Sequence, residues 1–478
     1  MIPLLLVVLP VVVGLLTWFI DDVRIDLVLL LLGAVGHLGL TMALYFTGGG
    51  CGLQTSLFAV DQTALLFLTI CSVLFFLVSL YTVQYILHGT HDEQDAPYRF
   101  VPCLLWFLAA MTLVCVTQHL ALQWAAIEAT TLASAPLVYF YKRREALEAA
   151  WKYLLICSVG IALALLGVFF LAIAASTRET QLSSLLLSDV MQAAPTLSRT
   201  WLRAAFALAL VGFGTKMGLA PMHTWLPDTH SQAPSPVSAL LSGALLNCAL
   251  LAILRFFQVC IRSGDAEFSR NLLLVFGFTS LLVSCMFMIG QVDYKRLLAY
   301  SSIENMGIIA VGIGLGGAAT RGAMLHCVNH SLCKAGLFLL AGNVLREYGT
   351  TNVGQVRSVF RRLPATGGLF MAFLIALGGI PPFGAFVSEW LILQTAMTQA
   401  SPWLAAAFAA LVALAFVAMA AVVLPMLQGK HTGVGPSFEY RLSIGTPIAL
   451  LAMTFALGIY MPPAVERLTR LAAGAMGG

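Results

Sequence analysis

Charge is scarce in this chain. Asp, Glu, Lys and Arg make up 10% of its 478 residues, hydrophobic types make up 60%, and mean hydropathy is +0.93. Soluble domains carry about a quarter charged residues, so a soluble fold is excluded. What charge there is nearly balances, at +4, which removes the electrostatic ground for nucleic-acid binding. The ten cysteines form no CxxC pair and no zinc or iron–sulfur spacing. They read as small apolar packing residues, and no bound redox centre or other cofactor is expected in this chain. Glycine-rich phosphate loops, Ser/His/Asp arrangements and paired hydrolytic carboxylates are missing too. The GxG at Gly312–Gly314 lies inside an apolar run. The first 20 residues lack a basic leading region and a small-residue cleavage site, so they read as a retained first helix, not a removable leader.

What is present is one apolar run after another, each near the 20 residues that cross a bilayer. Fourteen can be drawn: 2–20, 27–47, 57–87, 100–117, 119–141, 152–175, 203–222, 235–261, 271–290, 297–316, 322–345, 367–394, 402–427 and 443–461. The expected fold class is all-α, a polytopic membrane protein of about 14 transmembrane helices. With the N-terminus outside, inner loops hold fourteen Lys/Arg, Lys295 and Lys430 among them. Outer loops and the C-terminus hold eight, including Arg178. Basic residues concentrate on the cytoplasmic side, so both termini are expected outside, in a bacterial plasma membrane. Lys216, Arg255 and Lys334 fall within spans.

Lys216 opens the most informative stretch, FGTKMGLAPMHTWLPDTHSQAPSPVSALLSGALLN (213–247). An ionisable residue at a helix centre in a membrane costs roughly 2.5–3.5 kcal/mol on insertion scales and is a functional hypothesis by default. The seventh span also breaks, at GLAP (218–221), and the twelfth breaks at GGIPPFGAF (378–386), followed by Glu389. Broken spans need protein or a wet cavity to satisfy the freed backbone. Two interrupted spans at matching positions point to a transport site built from two repeats. The expected division is 1–99 (helices 1–3), 100–262 (first five-helix repeat), 271–428 (second repeat) and 443–478 (helix 14 and tail). With five helices each, adjacent repeats are inverted, with breaks in helices 7 and 12.

Glu128 has no charged neighbour in sequence for about 13 positions on either side, and Lys216 is its natural partner from another helix. The pair reads either as a static ion pair or as a switch for proton movement. His326, His330 and Lys334 recur every four residues, one helix face about 12 Å long. They read as a proton relay, as satisfied core histidines, or as an incomplete metal site. Glu389 reads as an exit group or a headgroup-level residue. Asp61 reads as an accessory residue of the path or as a marker of the third span's interface, and Arg255 reads as a snorkelling structural residue. His223, Asp228 and His230 either gate the path's inner mouth or tie the broken helix together.

The stretch TKMGLAPMHTWLPDTHSQAPSPVSALLSG resembles the signature of the antiporter-like subunits of complex I, Mrp antiporters and group 4 membrane-bound hydrogenases. DYKRLLAYSSIENMG (293–307) and LHCVNHSLCKAGLFLLAG (325–342) resemble two further motifs of that family. ALEAAWKY (146–153) is most similar to hydrogenase-4 component F type subunits, and the absence of a long lateral helix argues against the complex I L-type. The resemblance implies a fourteen-helix fold with inverted repeats. It implies a proton-translocating, itself non-catalytic, subunit working with other membrane subunits and a redox or catalytic partner module. It places a proton path on Glu128, Lys216, His326, His330, Lys334 and Glu389. Ser242 and Asn247 stand where many members have Lys or His, and Asn305 where many have His. Rival readings are Mrp-type cation/proton antiport with sodium as an alternative ion, a subunit coupling proton motive force to inorganic-carbon uptake, and a structural anchor with a closed path.

Overall fold

The computed structural model describes residues 1–46, 57–88, 99–176, 184–429 and 436–477. Arg178, Lys430 and Cys51 lie outside the described residues. Among the described residues the chain is helical, with only isolated β-bridges such as Phe58–Thr117. The first helices are α1 (Ile2–Trp18), α2 (Val23–Phe46) and α3 (Gln62–Leu87). Asp61 fixes the start of α3 by accepting the Ala64 backbone N–H at 2.8 Å. Residues 57–60, expected inside the third span, are therefore extended and pair with the 117 region. Then come α4 (Phe100–Val116), α5 (Leu120–Val138) and α6 (Arg144–Ser176), followed by short α7 (Leu187–Ala193).

The interrupted seventh span is α8 (Arg199–Met217) and α9 (Trp225–Gln232). The eighth is α10 (Ser235–Leu240), a π-helical turn at Leu241–Leu245, and α11 (Leu246–Arg262). Next are α12 (Ala266–Met288), α13 (Tyr294–Leu315), α14 (Ala318–Tyr348) and a four-residue α15 (Val359–Arg362). The interrupted twelfth span is α16 (Pro364–Leu377) and α17 (Gly384–Thr395). The chain ends with α18 (Pro402–Gln428), α19 (Arg441–Ile459) and α20 (Pro463–Gly474). Sequence reading drew the last segment as a tail. Its helix packs on α3 and α14, and Glu466 pairs with Arg321 at 3.2 Å.

Among the described residues eight helices are long and apolar enough to cross a membrane: α2, α3, α6, α10–α11, α12, α13, α18 and α19. The protein is thus an integral membrane protein. A helix apolar on all sides must be surrounded by others, and the most apolar stretches of α10–α11 and α13 are buried throughout. With α14 they form the centre. α6, α12 and α18 lie around them and turn large apolar side chains outward, such as Leu155, Val159, Met286 and Val417. Outside the helices, Asp265 accepts two 2.7 Å hydrogen bonds from Arg203, which hold its carboxyl below the usual carboxylate range and fasten α8 to the turn before α12.

Two basic residues sit differently from their sequence assignment. Lys295 is not in a loop. It lies fully buried in the first turn of α13 and donates to the Ala233 carbonyl at 2.6 Å, closing the C-terminus of α9. Arg255 does not snorkel. It is 2% exposed and forms an ion pair with Asp61, across 194 residues of sequence. A guanidinium with a carboxylate opposite it has no reason to reach for water.

Candidate functional site

The first half of the site forms where α8 stops. Gly218 takes a left-handed conformation (φ +82) that ends the helix one turn past its apolar run. The freed groups are then matched one by one: the Trp225 indole donates to the Thr215 carbonyl at 2.8 Å, and the Ala220 N–H donates to Ser280 Oγ at 2.9 Å. Partners of this kind are what stabilise an interrupted helix at this depth. Lys216 thereby sits in the last turn of α8, fully buried, at the end where the helix dipole favours a cation.

Lys216 does not touch Glu128. Its Nζ donates to Thr131 Oγ1 at 2.6 Å and to the Tyr153 hydroxyl at 2.7 Å. Thr131 in turn donates toward Glu128 Oε2 at 3.4 Å, and Ser158 donates to Glu128 Oε1 at 2.7 Å. The expected pair is therefore a triad with a hydroxyl in the middle, since α5 presents Thr131, one turn beyond Glu128, to the lysine. Thr131, Tyr153 and Ser158 are functional candidates that sequence reading missed.

The second half lies along α14. His326, fully buried, is held between Ser388 Oγ (2.9 Å to Nδ1) and Asn305 Oδ1 (3.0 Å to Nε2). Asn305 donates its amide to the Ser301 carbonyl at 2.7 Å, so its oxygen faces the imidazole and Nε2 carries the proton. Asn305 thus fills the place of the expected histidine as a hydrogen-bond partner. His330 donates Nε2–H to the Ser242 carbonyl at 3.3 Å, and its Nδ1 is buried without a partner. Lys334, fully buried, donates to the Leu298 carbonyl at 3.0 Å and to Ser301 Oγ.

The eighth span supplies a hydroxyl at its π-helical turn, a feature frequent at functional sites, and an amide just beyond it. Ser242 Oγ meets Ser302 Oγ at 2.8 Å, and Asn247 donates to Ser331 Oγ at 2.7 Å. Glu389, half-buried on α17, packs its carboxylate against Gly379 in the second break: a Cβ there would meet Oε2 at 2.0 Å.

The polar turn divides. Asp228 binds Lys152 at 3.1 Å and Arg296 at 2.9 Å near the surface. His230 is fully buried, stacked on Phe338 with ring centroids 4.6 Å apart, and neither ring nitrogen has a partner. His223 lies beside the rings of Phe287 and Tyr300. Asp61 belongs to the Arg255 pair. Among the described residues no group of three or more His, Cys, Asp or Glu is placed to hold a metal ion.

The family model described as NADH:quinone oxidoreductase/Mrp antiporter, TM matches residues 117–415, a stretch that contains every element of this arrangement. The chain belongs to that family. A hydrogenase-4 component F homolog of Methylacidiphilum infernorum (isolate V4) is 35% identical over 418 residues, covering 86% of this chain and 87% of its own length. NADH-quinone oxidoreductase subunit N of Desulforudis audaxviator (strain MP104C) is 31% identical over 326 residues, 68% of this chain and 63% of its own length. Among solved structures, a chain of the membrane-bound sulfane sulfur reductase, an archaeal respiratory membrane complex, superposes with a TM-score of 0.88 at 21% identity. It covers 99% of this chain and 97% of that one. These likenesses carry the fold. The residues of this family member carry the chemistry that follows.

Proposed function

We propose that this chain is a proton-translocating, antiporter-like subunit of a multisubunit, redox-driven membrane complex. The observation that carries the reading is Lys216: a buried ammonium at the end of a broken helix, held by two hydroxyls, with Glu128 one hydroxyl away. An ion pair meant only to order a bundle would be closed directly. Here the positive charge is stabilised by groups that can also pass or release a proton, and the carboxylate is close enough to bias it. In this reading Glu128 and Lys216 load one half of the path. His326, His330 and Lys334 carry the proton along α14, and Glu389 releases it. The described hydrogen bonds do not connect the two halves, and the unpartnered atoms His330 Nδ1, Asn247 Oδ1 and Asn329 Oδ1 are where buried water would complete the chain.

The same proposal includes fourteen membrane crossings, inverted repeats over 100–262 and 271–428, both termini outside a bacterial plasma membrane, and no cofactor in this chain. Moving one charge against 100 mV requires about 2.3 kcal/mol, which a partner module's redox reaction supplies. The test is proton transport by the intact complex in vesicles. Lys216→Ala is expected to abolish transport while the complex assembles. Transport at the wild-type rate would overturn the reading.

A further inference from the structure

A recess of about 380 Å³ lies at the end of the bundle where α3, α5 and α14 finish, and none of the proposed proton-path residues lines it. That volume is within the range of small-ligand sites, about 300–1,000 Å³. Its wall includes Tyr85, Tyr141, Arg143, Gln232, Asp293 and Arg346. Tyr85 and Tyr141 meet hydroxyl to hydroxyl, which ties the end of α3 to the turn after α5.

Cations near helix C-termini are ordinary, because the helix dipole favours them there. Three neighbours at this end close onto carboxylates: Lys152 and Arg296 on Asp228, and Arg362 on Glu347. Arg143 and Arg346 are different. Among the described residues neither meets a carboxylate, and each rests on an aromatic ring instead. The Arg143 guanidinium is 5.5 Å from the ring centroid of Tyr141, and that of Arg346 is 4.7 Å from the ring centroid of Tyr440. A ring covers the face of a guanidinium and leaves its edge N–H groups to bind elsewhere. Asp293, the acidic residue of the wall, is already engaged. It accepts from Ser231 Oγ at 2.7 Å, from Thr351 Oγ1 at 2.6 Å, and from the backbone N–H groups of Lys295 and Arg296 at 2.8 and 2.9 Å. The Gln232 side chain has no hydrogen bond among the described residues. The wall thus offers two guanidinium edges and an amide with nothing opposite them.

A ligand that answers this wall is negative and rich in acceptor oxygens. The arginine fork matches phosphate oxygens two at a time. Basic pockets between helices on the cytoplasmic side of membrane proteins hold phospholipid headgroups, and tyrosine rings sit at headgroup level. We propose that this recess is a binding site for a phosphate-bearing anion, gripped by Arg143 and Arg346 and completed by Gln232. Two sources share that chemistry, an anionic phospholipid headgroup and free phosphate. The site is separate from the proton path and stands or falls without it.

The experiment uses the intact complex in detergent, washed free of phospholipid. Binding is measured for radiolabelled phosphatidylglycerol in mixed micelles, phosphatidylcholine in the same micelles, and inorganic phosphate in detergent alone. Phosphatidylglycerol is expected to bind at least about tenfold more tightly than phosphatidylcholine. The double variant Arg143→Gln/Arg346→Gln is expected to weaken it about tenfold or more, since hydrogen bonds to charged groups are lost. Arg361→Gln, which removes an exposed charge outside the recess, is expected to leave binding unchanged. Saturable phosphate binding that the double variant abolishes, without binding of phosphatidylglycerol, assigns the site to free phosphate. Binding of neither probe overturns the proposal. So does binding that the double variant leaves intact, or that Arg361→Gln weakens equally. If the double variant does not assemble, Arg143→Gln alone, at an exposed position, decides in the same way.

Discussion

A single hydroxyl separates the lysine from the carboxylate in the first half of the site. Thr131 accepts from Lys216 and donates toward Glu128, so it sets how strongly each charge feels the other. Replacing it by valine keeps the shape and removes both contacts. A hydrogen bond to a charged group contributes about 1.5–3 kcal/mol, so Thr131→Val is expected to slow proton transport by about tenfold or more. Thr131→Ser should transport nearly as well as the native protein. Equal rates for valine and serine in the vesicle assay would mean that Glu128 acts on Lys216 through space alone. Lys216, Glu128 and the α14 row were legible in the sequence because charge inside an apolar run demands an explanation. Thr131, Tyr153 and Ser158 were not, because hydroxyls are common in such helices and only packing decides which of them meets a lysine. Lys295 was hidden by its place in DYKR, where two more charges surround it and suggest a loop.

At the level of helices, the lysine is positioned by how closely α6 and α8 approach. A Cβ on Gly212 would lie 2.5 Å from the Ala164 backbone nitrogen, and one on Gly160 would lie 2.7 Å from Thr215 Cβ. Such close backbone approach is how membrane helices gain packing contacts. It also brings Tyr153 and Ser158 of α6 to the end of α8, where Lys216 sits. Gly212→Ala must push the helices apart, because backbone cannot yield as a side chain can. The expected cost is about 1–3 kcal/mol of stability, seen as a lower thermal midpoint in detergent, together with slower transport as the Lys216–Tyr153 contact lengthens. An unchanged midpoint would show that α6 and α8 separate freely. Helix existence was readable from apolar run length, whereas helix ends were set by features outside the runs. Asp61 begins α3 by capping it, and α6 starts at Arg144, before its apolar stretch. α20 was missed because its polar face, with Glu466, Arg467 and Arg470, conceals a buried face of Leu468, Thr469, Ala472 and Ala473.

For the whole molecule, orientation decides which half of the path meets which compartment. The two ends of the bundle are distinct. Arg143 and Arg346 line one recess at the end where α14 finishes, whereas α20 is tied by Glu466–Arg321 to the end where α14 begins. Moving buried Lys295 out of the inner-loop count takes that count from 14 to 13, against eight in the outer loops and C-terminus. Orientation follows such loop charges, so the α20 end is expected outside and the Arg143 end in the cytoplasm. The nine described cysteines are all buried, so with Cys51 replaced by serine the background for thiol labelling at engineered positions is quiet. Ala475→Cys should react with a membrane-impermeant maleimide on intact cells, and Arg143→Cys only after the cells are opened. The reverse pattern would invert the path, so that Glu389 would load protons from the cytoplasm and the Lys216 half would release them. Under the orientation proposed here, Lys216, bound to Tyr153, the residue that follows Lys152 of the surface cluster with Asp228 and Arg296, takes protons in. The partner's redox energy then drives them outward through α14, so Lys216→Ala should block uptake from the cytoplasmic side while leaving Glu389 able to exchange with the medium.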